Sequence, residues 1–223
     1  MTFLQLLSSL DELLYELMSW LIFLPITVWR ILRAPLAMMR YAEDQLALEP
    51  DRQYAATLSP PIMLILTIVL SQALGLAFEG ASPIVADHRG LAGLVNDNTT
   101  LLILRLFLFG IFALVLATWK VHRSKIDLDR DSLKPAFYAQ CYATAPFALA
   151  VGLTGIVLAY PDIRWQVSGL VLLLGSLLVY GVIQIRWFRA ELDEPLIRAC
   201  LDATIGMVGS LLIFVPLAFL FTR

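Results

Sequence analysis

Apolar runs long enough to cross a bilayer recur along this chain and predict its elements. A hydrocarbon core about 30 Å thick takes about 20 helical residues at a rise of about 1.5 Å each. Five runs meet that length, at 61–78, 101–119, about 136–160, 165–185 and about 203–221. Only the second holds a charged side chain, Arg105. The runs lack the apolar-out, polar-in alternation of lipid-facing strands, which argues against a barrel and for helices. The fold class expected is all-α: a polytopic membrane bundle of five helices over 60–223.

Breakers agree with the spans. Ser59-Pro60-Pro61 precedes the first, Asn96-Asp97-Asn98-Thr99-Thr100 offers caps to the second, and Lys134-Pro135 precedes the third. Tyr160-Pro161-Asp162 predicts a turn between the third and fourth. Trp119, Tyr160, Trp165 and Trp187 fall near span ends, where amphipathic rings favour the headgroup layer.

The first 59 residues have a different pattern. Phe3, Leu6, Leu7, Leu10, Leu13, Leu14 and Leu17 follow helical spacing, with Ser8, Asp11, Glu12 and Glu16 off that face. The longest uncharged stretch, Leu17 to Trp29, is 13 residues and contains Pro25. That length suits an interfacial segment rather than a crossing. The pattern predicts an amphipathic helix on the inner leaflet, a turn near Pro25, a basic stretch from Arg30 to Arg40, and a second short helix around 37–48. The apolar face has two readings, packing on lipid or on the bundle. Acids come first and bases last, the reverse of a secretory signal, so the chain is expected to begin at residue 1.

Composition explains why lipid is needed. Apolar residues make up 60% of the 223 and charged ones 15%, against roughly 45–50% and 25% in soluble domains. The net charge of −2 gives no pointer to nucleic acid, and none is expected as a partner; the lipid bilayer is. Sorting Lys and Arg by segment sets orientation: four before Ser59, five in a connector from Lys120 to Lys134 and three after the fourth span, against Arg89, Arg164 and Arg223 opposite. The positive-inside rule then places the N-terminus in the cytoplasm and the C-terminus outside. The connector alternates in sign and is expected to be a solvated link with lipid-attracting bases.

Candidate chemistry is sparse. Arg105 lies about 6 Å into its helix and has two readings: snorkelling to outer headgroups, or facing a cavity paired with Glu79, Asp97 or Asp162. The third span opens with Tyr138, Gln140, Cys141, Tyr142 and Thr144 before Pro146, and Gln72 and Gln184 add polar groups on the first and fourth. These serve either as helix–helix glue or as a substrate-lining stripe. The orientation puts Gln140 and Gln184 in the same half, within reach of each other, with Gln72 near the middle. Gly206 and Ser210 have the i,i+4 spacing of a close-packing face. Cys141 and Cys200 are not expected to pair, and His88 and His122 are assigned to opposite sides. No catalytic motif, metal set or cofactor sequence occurs, so no enzyme is expected.

Arg33-Ala34-Pro35 before a short helix, Tyr142-Ala143-Thr144-Ala145-Pro146 opening the third span, and Trp165 with Gly169-Leu170 starting the fourth accompany this layout. Together they resemble the Yip family of polytopic membrane proteins and its bacterial relatives, often labelled permeases. The resemblance implies a cytoplasmic N-terminal region, five spans, an external C-terminus and a bacterial inner-membrane location. The Asp-Leu-Tyr-Gly-Pro type signature of the eukaryotic members, associated with Rab GTPases, is not in this chain, so that activity is not carried over. Two functions are expected. One is a small permease or channel acting as a homo-oligomer, with Arg105, Gln140, Tyr142, Gln184 and Gln72 as its polar site. The other is a membrane-shaping scaffold that recruits partners through its amphipathic N-terminus.

Overall fold

A computed structural model describes residues 3–79 and 98–222. They form seven α-helices: α1 (Phe3–Arg33), α2 (Pro35–Gln45), α3 (Pro60–Glu79), α4 (Asn98–Arg123), α5 (Arg130–Leu158), α6 (Ile163–Glu191) and α7 (Leu196–Thr222), with a 3-10 turn at Pro50–Arg52. Six of them are long and apolar enough to cross a membrane: α3 to α7, and α1 over Asp11–Arg33. The chain is an all-α integral membrane protein. Asn96, Asp97, His88 and Arg89, and the roles given them above, lie outside the described residues.

Two expectations about local structure are corrected. The turn near Pro25 does not form, because α1 runs unbroken through it. Trp20, Phe23, Leu24, Val28 and Ile31 pack into the core, and Thr27 is buried with them. They sit on one 3.6-residue stripe that continues on both sides of the proline, so docking carries the helix through Pro25, which removes one backbone bond. The short helix begins at Pro35 and ends at Gln45, not at 37–48, with proline in its first turn.

The third crossing likewise starts earlier than Pro135. Asp129 Oδ1 accepts the Ser132 amide at 2.8 Å, and Ser132 Oγ accepts the Asp129 amide at 3.1 Å. This reciprocal box starts α5 at Arg130 and leaves Pro135 inside the helix. The expected connector from Lys120 to Lys134 therefore shrinks to 124–129, since Lys120 and Arg123 belong to α4.

α5 is the centre of the bundle. It packs on α3, α4, α6 and α2, and more lightly on α1, while α7 closes against α4 and α6. Small residues set the closest approaches: a Cβ on Gly152 of α5 would collide with Ser71 of α3, and one on Gly206 of α7 with Leu116 of α4. Phe147 and Tyr180 stack at 4.6 Å between α5 and α6, and Phe112 of α4 lies 5.7 Å from each ring. Large apolar side chains from Ile103 to Ile213 remain exposed around this core, as lipid contact requires.

Candidate functional site

The polar residues of the bundle fall into two groups: a buried seam inside the helices, and a layer of ion pairs where α2, α4, α6 and α7 meet. The second marks what we call the basic end.

The seam begins on α5. Gln140 and Gln184 are both fully buried and exchange two amide hydrogen bonds, Gln140 Nε2 to Gln184 Oε1 at 3.0 Å and Gln184 Nε2 to Gln140 Oε1 at 2.8 Å. The contact expected from their shared half is therefore present. Tyr142 donates its hydroxyl to the Leu58 carbonyl and lies 3.2 Å from Thr57 Oγ1. Thr57 donates to Tyr41 Oη at 3.3 Å, and the Leu58 amide donates to Thr27 Oγ1 at 3.2 Å. Thr144 and Tyr180 hydroxyls are 3.2 Å apart. These bonds tie α1, α2, the segment 53–59, α5 and α6 together, and all of the side chains except the half-buried Tyr41 are buried. Of the polar residues of the third span, Gln140 and Thr144 bond to α6 and Tyr142 bonds to the segment before α3.

The other two candidates sit apart. Gln72 of α3 is buried, and its Oε1 has no hydrogen-bond partner among the described residues. Arg105 is half-buried on α4, 18 residues before the basic end of that helix at Arg123, or about 27 Å along it. Gln140 is ten residues from the start of α5 at that end, about 15 Å. Along the helices Arg105 thus stands about 12 Å farther from the basic end than Gln140. Of the acids suggested for Arg105, Asp162 caps α6 by accepting the Arg164 amide at 2.9 Å; Asp97 and the Glu79 side chain are outside the described residues.

The basic end was only half legible, because counting Lys and Arg ignores the acids that answer them. Lys120 Nζ lies 2.8 Å from Glu43 and 3.8 Å from Glu191, which Arg40 also meets at 3.0 Å. Arg123 bridges Glu194 and, at 2.8 Å, Asp202, whose Oδ1 also accepts the Trp119 indole at 3.1 Å. Lys120 lies 5.4 Å above the fully buried Trp187 ring. The signal missed was the Glu191-Leu-Asp-Glu194 cluster beside Arg186 and Arg189. Burial pushes the Glu43 carboxyl above its usual range against the pull of Lys120. Burial also raises the Tyr54 phenol, which donates to the Ala42 carbonyl at 2.8 Å and fixes α2 to the following segment.

Comparison with protein-family models, with curated proteins and with solved structures finds no match to this chain.

Proposed function

We propose that this protein is a non-enzymatic membrane scaffold: a multi-pass bundle in the bacterial inner membrane, its basic end in the cytoplasm, with α1 lying in the inner leaflet as a docking arm. The Yip-like reading belongs to the same proposal, since the N-terminal arm, the bundle and the charge bias are the features that produced it. The observation that carries it is where the packing of α1 stops. Every residue from Asp11 to Met18 is exposed, whereas Thr27 and Ile31 are buried against the bundle. Apolar Leu13, Leu14, Leu17 and Met18 thus share an uncovered stretch with Asp11, Glu12 and Glu16. Such mixed surface suits the interface between headgroups and acyl chains better than a crossing through hydrocarbon.

The permease reading drew on the polar residues of α5 and on Arg105. Hydrogen bonds from Gln140 and Thr144 to α6 and from Tyr142 to the segment before α3 weaken the motive for a polar path along α5. The scaffold reading also sharpens its test. Removing residues 2–30 would cut away Trp20, Phe23, Leu24 and Thr27, which hold the bundle; removing 2–18 spares them. In reconstituted vesicles the Δ2–18 chain should keep the wild-type Tm and lose vesicle remodelling and partner capture. An N-terminal reporter should be found on the side opposite the C-terminus. Solute flux through the wild type, unchanged remodelling by Δ2–18, or a reporter on the C-terminal side would each overturn the reading.

A further inference from the structure

The cations near the basic end differ in what holds them. Arg40, Lys120 and Arg123 are each held by a carboxylate. Arg130 and Lys134, on the first turns of α5, are exposed and, like Lys125, Arg186, Arg189 and Arg198, form no ion pair among the described residues; Lys134 Nζ lies 5.8 Å from the Tyr138 ring centroid. Both line a groove of about 540 Å³ between α4 and α5. Its walls are otherwise apolar, with Ile103, Phe107 and Leu114 on α4 and Leu133 and Phe137 on α5.

Length and register give this groove a chemical meaning. From Ile103 to Leu114 it follows 11 residues of α4, about 16 Å of helix. Arg130, Lys134 and Phe137 are spaced i, i+4, i+7 and share one face of α5. Asp127, Asp129 and Asp131 are close in sequence but do not line the groove, and Asp129 is engaged in capping α5. Gly110 stands on the wall, and a Cβ there meets nothing within 4 Å.

We infer that the α4–α5 groove is a binding site for an anionic phospholipid of the inner leaflet, its phosphate held by Arg130 and Lys134 and one acyl chain laid along the wall at Gly110. Lipid is the occupant the surface fits because two exposed cations, neither in an ion pair, line an otherwise apolar groove. The inference does not rest on how α1 is placed.

Native mass spectrometry of the purified full chain, supplied with equal phosphatidylglycerol and phosphatidylethanolamine, tests it. The wild type should retain phosphatidylglycerol by roughly thirtyfold over phosphatidylethanolamine, as two basic side chains near the surface imply. R130Q/K134Q, at exposed helix positions, should retain the two lipids equally. G110F, which fills the trough from an open position, should lose both while keeping the wild-type Tm. Equal retention by the wild type, or undiminished preference in R130Q/K134Q, overturns the site. A G110F chain that keeps its lipid but loses dimers shows that a second copy covers the groove, and overturns it too.

Discussion

Gln140 and Gln184 satisfy each other's amides across the α5–α6 interface, through two hydrogen bonds of 3.0 Å and 2.8 Å. An amide buried in apolar surroundings needs a partner for its donor and its acceptor. Here one side chain supplies both, which fixes the register of the two helices.

Replacing one member should therefore cost more than replacing both. Gln140→Leu leaves the Gln184 amide without its partner and is expected to destabilise by about 1–3 kcal/mol. The double variant with Gln184→Leu should recover most of that loss, since interhelical hydrogen bonds in membranes are worth about 0.6 kcal/mol on average. Unfolding in mixed micelles measures the cycle, and strictly additive losses would contradict a reciprocal pair.

Glycines on α5 should respond in opposite senses. Gly152→Ala drives a Cβ into Ser71 of α3 and is expected to cost about 1–3 kcal/mol through overpacking. Gly155 faces open space, so Gly155→Ala should leave stability unchanged or raise it by up to about 1 kcal/mol through helix propensity. The two Tm shifts check this directly.

Glu43 makes the fold sensitive to pH. Its raised pKa, caused first by burial, means that the folded chain holds this proton more tightly than the unfolded chain. That contribution is complete below the ordinary value of 4.5 and is lost as pH rises through the raised one. Glu43→Gln removes the titration, so the difference in Tm between variant and wild type should change across that interval and level off outside it. A difference constant with pH would show that Glu43 does not titrate there.

Asp129 acts in the other direction. Hydrogen bonds from Ser132 hold its carboxyl below the ordinary range, so its capping of α5 is present above about 3.8 and is lost as pH falls through the lowered value. Asp129→Ala should free the first α5 amides, giving faster hydrogen exchange at 130–132 without change around Gln140. Exchange equal to wild type would place the helix start elsewhere.

Residue pattern alone located five of the six helices long and apolar enough to cross, because lipid demands about 20 apolar residues per helix whatever surrounds them. Pairing of Gln140 with Gln184 followed from their common half. The continuity of α1 did not follow, because Pro25 is a local breaker whose effect is set by what the helix docks on. Nor did the partners of Lys120 and Arg123, since Glu43, Glu194 and Asp202 are 71–79 positions away along the chain.

Sequence by itself determined that this is a helical membrane protein, where its five clearest apolar runs lie, and which segments carry the bases. Those properties depend on composition within one segment and on the thickness of the solvent. Tertiary structure decided which polar groups are consumed by one another, which cations stay unpaired beside an apolar groove, and where along α1 the bundle stops. Those depend on which faces of separate helices meet, and no single segment contains that information.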